Sequence, residues 1–266
     1  MIRVTFDPIF LQLGGMALGW HGLFTALAVM VAVWLGMRRA RAMGMSADPV
    51  SSVALWAVVG GIIGARLFHV LDHLSYFAAN PMQIFAVWQG GIAVYGAFIG
   101  GIAGGFLAAR KVGLQAWPLL DAAAPAMLVG QMIGRLGCLS NGDAWGRPTD
   151  GAWGIVYQNP NDLLPPELLG VPTHPYPLYE VAAVALLLGV LWASRRYFRV
   201  TGDAFLVAAI GYAAIRFGLT FFRQETVLFW GLQEAQVIAL GTGVLALGLI
   251  ALRHLRPSRL EAGTAS

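Results

Sequence analysis

The 266 residues are 58% hydrophobic and only 11% charged, with a mean hydropathy of +0.69. Soluble domains carry roughly 25% charged residues, so a soluble globular domain is excluded and an all-α integral membrane protein is expected. The net charge of +4 points to no nucleic-acid partner, because most basic residues flank apolar runs, and the single cysteine, Cys138, excludes an internal disulfide, a CxxC redox centre or a cysteine-ligated metal cluster.

A membrane span needs about 20 apolar residues. Seven windows qualify: 17–36, 51–71, 91–109, 118–139, 178–194, 203–221 and 234–252. The first is expected to remain as a span, since no basic stretch precedes it and it is too long for a signal-peptide core. Arg38, Arg39 and Arg41 follow the first window, Arg110 and Lys111 the third, Arg195, Arg196 and Arg199 the fifth, and Arg253, Arg256 and Arg259 the seventh. With seven spans these eleven of the 17 basic residues share one side, which the positive-inside rule makes cytoplasmic. The amino terminus is then periplasmic and the carboxyl terminus cytoplasmic, in a single membrane domain covering 1–266. Gly60 and Gly64, and Gly96, Gly100 and Gly104, stand four apart, the spacing that lets helix backbones touch in lipid. Gly90, Gly91 and Gly96 flank Tyr95 and are expected to leave room for a ligand. The sizeable connection, 140–177, carries Trp145, Trp153, Tyr157 and Tyr176 among seven prolines. It reads as a small external cap whose aromatics suit the headgroup belt.

Five further arginines, Arg66, Arg135, Arg147, Arg216 and Arg223, lie within spans or on the outer loops, where the charge rule does not ask for them. Their carboxylate counterparts are few: Asp143, Glu180, Glu225 and Glu234. A charge inside a membrane is costly unless paired and marks a functional site by default. Arginine forks bind phosphate oxygens in bidentate fashion and stay charged when desolvated. An outward-facing phosphate-ester site is therefore expected, with phospholipid headgroups as the ligand at hand. The residues leave open whether such a site binds a phospholipid or acts on it. An arginine-lined transporter cavity is a further alternative, though no internal repeat relates the halves. The five histidines, His21, His69, His73, His174 and His254, form no ligand motif, so neither a metal nor another cofactor is expected. A retinal protein is excluded, because the one lysine, Lys111, sits at a window's end.

The stretch Gly134-Arg135-Leu136-Gly137-Cys138-Leu139-Ser140-Asn141-Gly142-Asp143-Ala144-Trp145-Gly146-Arg147 resembles the signature of the prolipoprotein diacylglyceryl transferase family. Further fragments follow in that family's order. They are Trp20-His21-Gly22, Gly64-Ala65-Arg66, Trp88-Gln89-Gly90-Gly91 before Tyr95-Gly96, His174-Pro175 with Leu178-Tyr179-Glu180, Arg216-Phe217, Phe221-Phe222-Arg223-Gln224 and Gln236. The resemblance covers nearly the whole chain. It implies transfer of the diacylglyceryl group of phosphatidylglycerol to the lipobox cysteine thiol in the signal peptide of a preprolipoprotein, at the bacterial inner membrane. A thioether forms and glycerol phosphate leaves. By resemblance Arg135 and Arg223 hold the phosphate, and Asn141, Gly142, Asp143 and Arg147 order the site. Arg66, Glu180 and Arg216 form supporting pairs, and Gln236 joins the substrate contacts.

Three departures stand out. The family usually has asparagine at Cys138, glutamate at Asp143 and histidine at Tyr95, while His21 occupies a position that is usually tyrosine. A Tyr/His pair is thus exchanged between two spans, and the resemblance implies that His21 takes over proton handling, with Tyr95 in the same cavity. Cys138 reads as a small buried residue and not as a nucleophile. The departures leave room for a relative with another acceptor, or for a non-catalytic lipid-binding protein.

Overall fold

A computed structural model describes residues 1–14, 16–86, 91, 93–223 and 227–255; of Leu13, Met16, Val94, Tyr95 and Phe229 it describes the backbone alone. Trp88, Gln89, Gly90, Gln224, Glu225, Arg256 and Arg259 lie outside the described residues, as does the side chain of Tyr95.

The apolar windows become helices: α1 (Trp20–Ala42), α2 (Ala47–Asp72), a short α3 (Leu74–Ala79), α4 (Val94–Lys111), α5 (Ala116–Asn141), α6 (Tyr176–Ser194), α7 (Asp203–Thr220) and α8 (Glu234–Leu255). Among the described residues, six helices are long and apolar enough to cross a membrane: α1, α2, α5, α6 with the turn after it, α7 and α8. α4, the third expected span, has 18 residues, five of them glycine, and ends on Arg110 and Lys111. Large apolar side chains such as Ile102, Leu186, Trp192 and Val244 stand about two-thirds exposed or more on these helices, as lipid-facing surfaces do. The protein is a multi-pass membrane protein. Six short strands lie outside the helices: β1 (Ile2–Val4), β2 (Ile9–Leu13), β3 (Met16–Gly19), β4 (Ile155–Tyr157), β5 (Val227–Phe229) and β6 (Leu232–Gln233), pairing β1 with β4, β2 with β3 and β5 with β6.

The chain divides into two compact units. One comprises residues 12–17 and 33–123. Here α2 and α4 pack backbone to backbone. A Cβ added at Gly100 would meet Gly60 O and lie 2.9 Å from Gly64 Cα; one at Gly64 would meet Gly96 O. The four-residue glycine spacing therefore serves close packing, where dispersion between touching backbones replaces the hydrophobic force that lipid cannot supply. The expectation of ligand space beside Gly91 and Gly96 is corrected in the same way. The Cβ direction of Gly91 is filled by His69 and Arg66, and that of Gly96 by Gly64 O and Phe68. Arg66 is gripped by main-chain carbonyls: its Nε donates to Ile84 O at 2.8 Å, its Nη1 to Gly91 O at 2.9 Å, and its Nη2 to Gln83 O.

The other unit comprises residues 1–11, 18–32 and 124–266. α5, α6 and α7 share a core of Ala124, Leu128, Val184, Leu187, Leu191 and Ala208. The 140–177 connection has its own small core of Ile155, Tyr157, Leu164 and Leu168, to which Val4 contributes because β1 pairs in parallel with β4. The cap is thus not made by the connection alone. Its aromatics also depart from the expected headgroup belt: Trp153 is exposed, but Tyr157 and Tyr176 are fully buried. Tyr157 donates its hydroxyl to Leu139 O at 3.1 Å, fastening the cap to the end of α5.

Candidate active site

Glu180, on α6, is fully buried. Oε1 accepts hydrogen bonds from Tyr212 OH at 2.8 Å and Gln131 Nε2 at 3.0 Å. Oε2 lies 2.9 Å from Arg135 Nε and 3.5 Å from Arg216 Nη1. The Arg135 contact is an ion pair and not an aligned hydrogen bond, since its Nε–H is not directed at that oxygen. α5, α6 and α7 thus meet on one carboxylate. Burying a lone carboxylate in a membrane is prohibitive; two guanidiniums and two hydrogen-bond donors make it tolerable.

Tyr176 extends the cluster. Its hydroxyl accepts from Arg216 Nη1, and the guanidiniums of Arg216 and Arg223 stand 5.9 and 5.0 Å from its ring centroid. Three guanidiniums are gathered around one carboxylate and one tyrosine. Guanidiniums gathered in this way suit the oxygens of a phosphate anion.

The signature stretch supplies the rest of the site through its backbone. α5 ends at Asn141, and Gly142 follows with φ +70°, its N–H donating to Cys138 O at 3.1 Å. Only glycine takes that left-handed position without strain, and a Cβ there would also press on Asp162 Cβ at 3.3 Å. Gly137 lets the first turn of α1 approach: its Cβ would stand 2.9 Å from Phe24 Cβ and 3.3 Å from His21 Cα. His21 is thereby carried to the end of α5, where its Nδ1 lies 3.4 Å from Asp143 Oδ2. Asn141 Nδ2 donates to the same oxygen at 3.4 Å. Arg135 Nη1 reaches the Cys138 sulfur at 3.6 Å. Gly146 permits a tight crossing with His174, and the neighbouring Arg147 clamps the turn after α7. There the Arg147 backbone N–H donates to Phe222 O at 2.8 Å and its Nε to Arg223 O at 3.0 Å.

The structure therefore gathers Arg135, Glu180, Arg216 and Arg223 in one cluster, and His21, Asn141 and Asp143 at the adjoining end of α5. Arg66 is not a partner of Glu180 among the described contacts; carbonyls of its own unit hold it. Gln236 is buried and braces the end of α7, its Nε2 donating to Phe217 O at 3.4 Å and its Oε1 accepting from Gln233 N at 3.0 Å. Sequence reasoning passed over Gln131 and Tyr212, whose polar heads in apolar spans were the available signal, and Gln233, whose Nε2 donates to Thr220 O and Arg223 O at 3.3 and 3.4 Å.

The sequence profile described as prolipoprotein diacylglyceryl transferase matches residues 8–252. The chain belongs to that family. Among its relatives is the phosphatidylglycerol–prolipoprotein diacylglyceryl transferase of Nostoc sp., 35% identical over 256 residues, with 93% of this chain and 89% of the relative aligned. The protein of that name from Aromatoleum aromaticum is also 35% identical, over 266 residues and 97% of its length. The one from Methylibium petroleiphilum is 36% identical over 233 residues, 84% of this chain and 86% of the relative. The family signature thus coincides with the α5 end that assembles Arg135, Asn141 and Asp143.

Proposed function

We propose that this chain is a phosphatidylglycerol–prolipoprotein diacylglyceryl transferase, carrying out the first step of lipoprotein maturation in the bacterial inner membrane. The observation that carries the reading is that Arg135 and Arg216 share the buried carboxylate of Glu180 while Arg223 stacks on Tyr176, which is itself hydrogen-bonded to Arg216.

In this reading the headgroup phosphate of phosphatidylglycerol sits against Arg135 and Arg223, while Glu180 and Arg216 fix their orientation. The lipobox thiol of the prolipoprotein attacks the glyceryl carbon that bears the phosphate. A carbon–sulfur bond forms, the carbon–oxygen bond breaks, and glycerol phosphate leaves with the electron pair. Negative charge builds on the departing phosphate, and preorganised guanidiniums in a dry site stabilise that charge more than they stabilise the resting diester. His21 accepts the thiol proton, and its protonated form is stabilised by the Asp143 carboxylate, whose Oδ2 lies 3.4 Å from Nδ1. Asn141 and Gly142 set the position of Asp143, Arg147 fixes the turn that carries Arg223, and Tyr95 hydrogen-bonds substrate. Arg66 and Gln236 hold the surrounding backbone in place.

The same reading makes α4 a seventh span, with the amino terminus and the 140–177 cap periplasmic and the site in the outer half of the membrane. Its support is the distribution of basic residues. Arg38, Arg110 and Arg195 each stack on an aromatic ring one turn earlier, Trp34, Phe106 and Trp192, at 5.6, 5.2 and 4.9 Å, an arrangement suited to a membrane surface. Incubation of the purified protein with phosphatidylglycerol and a lipobox peptide tests the activity. Mass spectrometry should find the peptide heavier by one diacylglyceryl group; an unmodified peptide, together with failure to complement a transferase-deficient strain, overturns the reading.

A further inference from the structure

His21 of α1, Cys138 of α5 and Asp143 just beyond it converge on one point. One ligand atom from each, an imidazole nitrogen, the thiol sulfur and a carboxylate oxygen, lies within 4.8 Å of the other two. We propose that these three side chains bind a single thiophilic divalent cation of the Zn2+ class.

Geometry comes first. Zn2+ takes sulfur at about 2.3 Å and imidazole nitrogen or carboxylate oxygen at about 2.0–2.2 Å, so tetrahedral ligands stand roughly 3.3–3.8 Å apart. His21 Nδ1 and Asp143 Oδ2 are already 3.4 Å apart. The sulfur has to close by about 1 Å to complete the face of the tetrahedron, a side-chain adjustment. Closing is assisted by the backbone, because Gly137 holds α1 against α5 where both helices end. Two atoms of the trio, His21 Nδ1 and Asp143 Oδ1, are buried without a hydrogen-bond partner, and a cation supplies what they lack.

Chemistry and charge agree. Thiolate, imidazole and carboxylate together select Zn2+ or Co2+ over Mg2+ or Ca2+, which prefer oxygen alone. Three protein ligands leave a fourth position open. On binding, the Cys138 thiol gives its proton to water, and thiolate plus carboxylate then neutralise the dication. Arg135, whose Nη1 is 3.6 Å from the sulfur, is the competing cation, and its charge is already matched by Glu180 at 2.9 Å. The sequence concealed this site because its ligands come from α1, α5 and the following loop, with no local spacing to read. Bound metal occupies His21 and Asp143, so it inhibits diacylglyceryl transfer; that consequence rests on the proposed transferase reading, whereas the binding itself does not.

The test is a Co2+ titration of the full chain purified in detergent. One Co2+ per chain is expected, with a near-ultraviolet thiolate-to-cobalt charge-transfer band and the intense visible bands of four-coordinate cobalt, both abolished by added Zn2+. The chain has one cysteine, so the band reports Cys138 alone and must vanish in Cys138→Ala. His21→Ala and Asp143→Asn should each weaken binding at least tenfold. Should a variant fail to fold, alkylation of the wild-type thiol replaces it: Zn2+ is expected to protect Cys138. Absence of the charge-transfer band at saturating Co2+, no protection by Zn2+, or unweakened binding in folded His21→Ala overturns the proposal. A cobalt spectrum with undiminished transfer in Zn2+ upholds the site and overturns the catalytic assignment of His21 and Asp143 instead.

Discussion

Replacing Glu180 by glutamine keeps the shape of the side chain and removes its charge. In the native protein Oε2 faces Arg135 at 2.9 Å and Arg216 at 3.5 Å, while Oε1 accepts from Tyr212 and Gln131. Glutamine offers one oxygen and one NH2 group. If the oxygen stays with the arginines, the NH2 meets the donors of Tyr212 and Gln131; if it turns, it meets the guanidiniums. Breaking a buried ion pair by removing one partner costs about 3–5 kcal/mol. The lost hydrogen bonds to a charged acceptor, about 1.5–3 kcal/mol each, overlap with that figure and do not add to it. The expected loss for Glu180→Gln is therefore about 3–5 kcal/mol, with transferase activity falling because Arg135 loses its fixed direction. Thermal unfolding of the purified protein in detergent measures the first, and lipobox-peptide modification the second. Arg216→Met added to Glu180→Gln removes one uncompensated cation, so the double variant should be more stable than the sum of the single losses predicts, by about 0.5–3 kcal/mol. A Glu180→Gln protein within about 1 kcal/mol of wild type, against the 3–5 kcal/mol expected, or strict additivity in the double variant, would refute the view that this carboxylate neutralises its arginines.

Gly100→Ala should cost about 1–3 kcal/mol through overpacking, because its Cβ would press on the backbone of Gly60 and Gly64, whereas Gly241→Ala on α8, with open space around it, should not destabilise; equal melting temperatures for the two would contradict the backbone contact. His21→Ala is expected to lower transfer about 10²–10⁴-fold if the imidazole takes the thiol proton. Full activity in His21→Ala with loss in Tyr95→Phe would sink the His/Tyr exchange. Asp162, buried in the cap beside Asp7, has its carboxyl pushed above the usual range, with desolvation by burial the largest cause. A raised folded-state value means that the native protein binds this proton more tightly than the unfolded chain does. The stability linked to it is thus present at acid pH and lost as pH rises through the folded value. Asp162→Asn keeps an oxygen for the Asn159 N–H and should flatten that dependence in melting curves taken from acid to neutral pH; an unchanged slope would dissociate Asp162 from it.

Six of the seven expected spans, the signature and the position of Arg135 within an apolar helix were legible in the sequence because each is a local pattern: an apolar run, a fixed spacing, a charge where none is expected. Pairing was not. Glu180 is shared by Arg135 and Arg216 because three helices from distant parts of the chain face one another there, and no spacing rule encodes which face meets which. Tyr176 was read as an interfacial aromatic on composition, yet the turn into α6 places it under two guanidiniums. β1 and β4, three residues each and far apart in the chain, are too short to carry a period. The glycines of the signature sit between these two cases. Their positions were visible, but their purpose is steric: Gly137 admits His21 and Phe24, Gly142 turns the chain out of α5, and Gly146 admits His174. Gly137 admits the residue to which proton handling is assigned in the proposed reaction, so enlarging it should disable His21 without touching it. The signature is as much a specification of which backbones may touch as of which side chains are on offer, since Gly137 is what brings His21 of α1 to the end of α5 that carries Cys138.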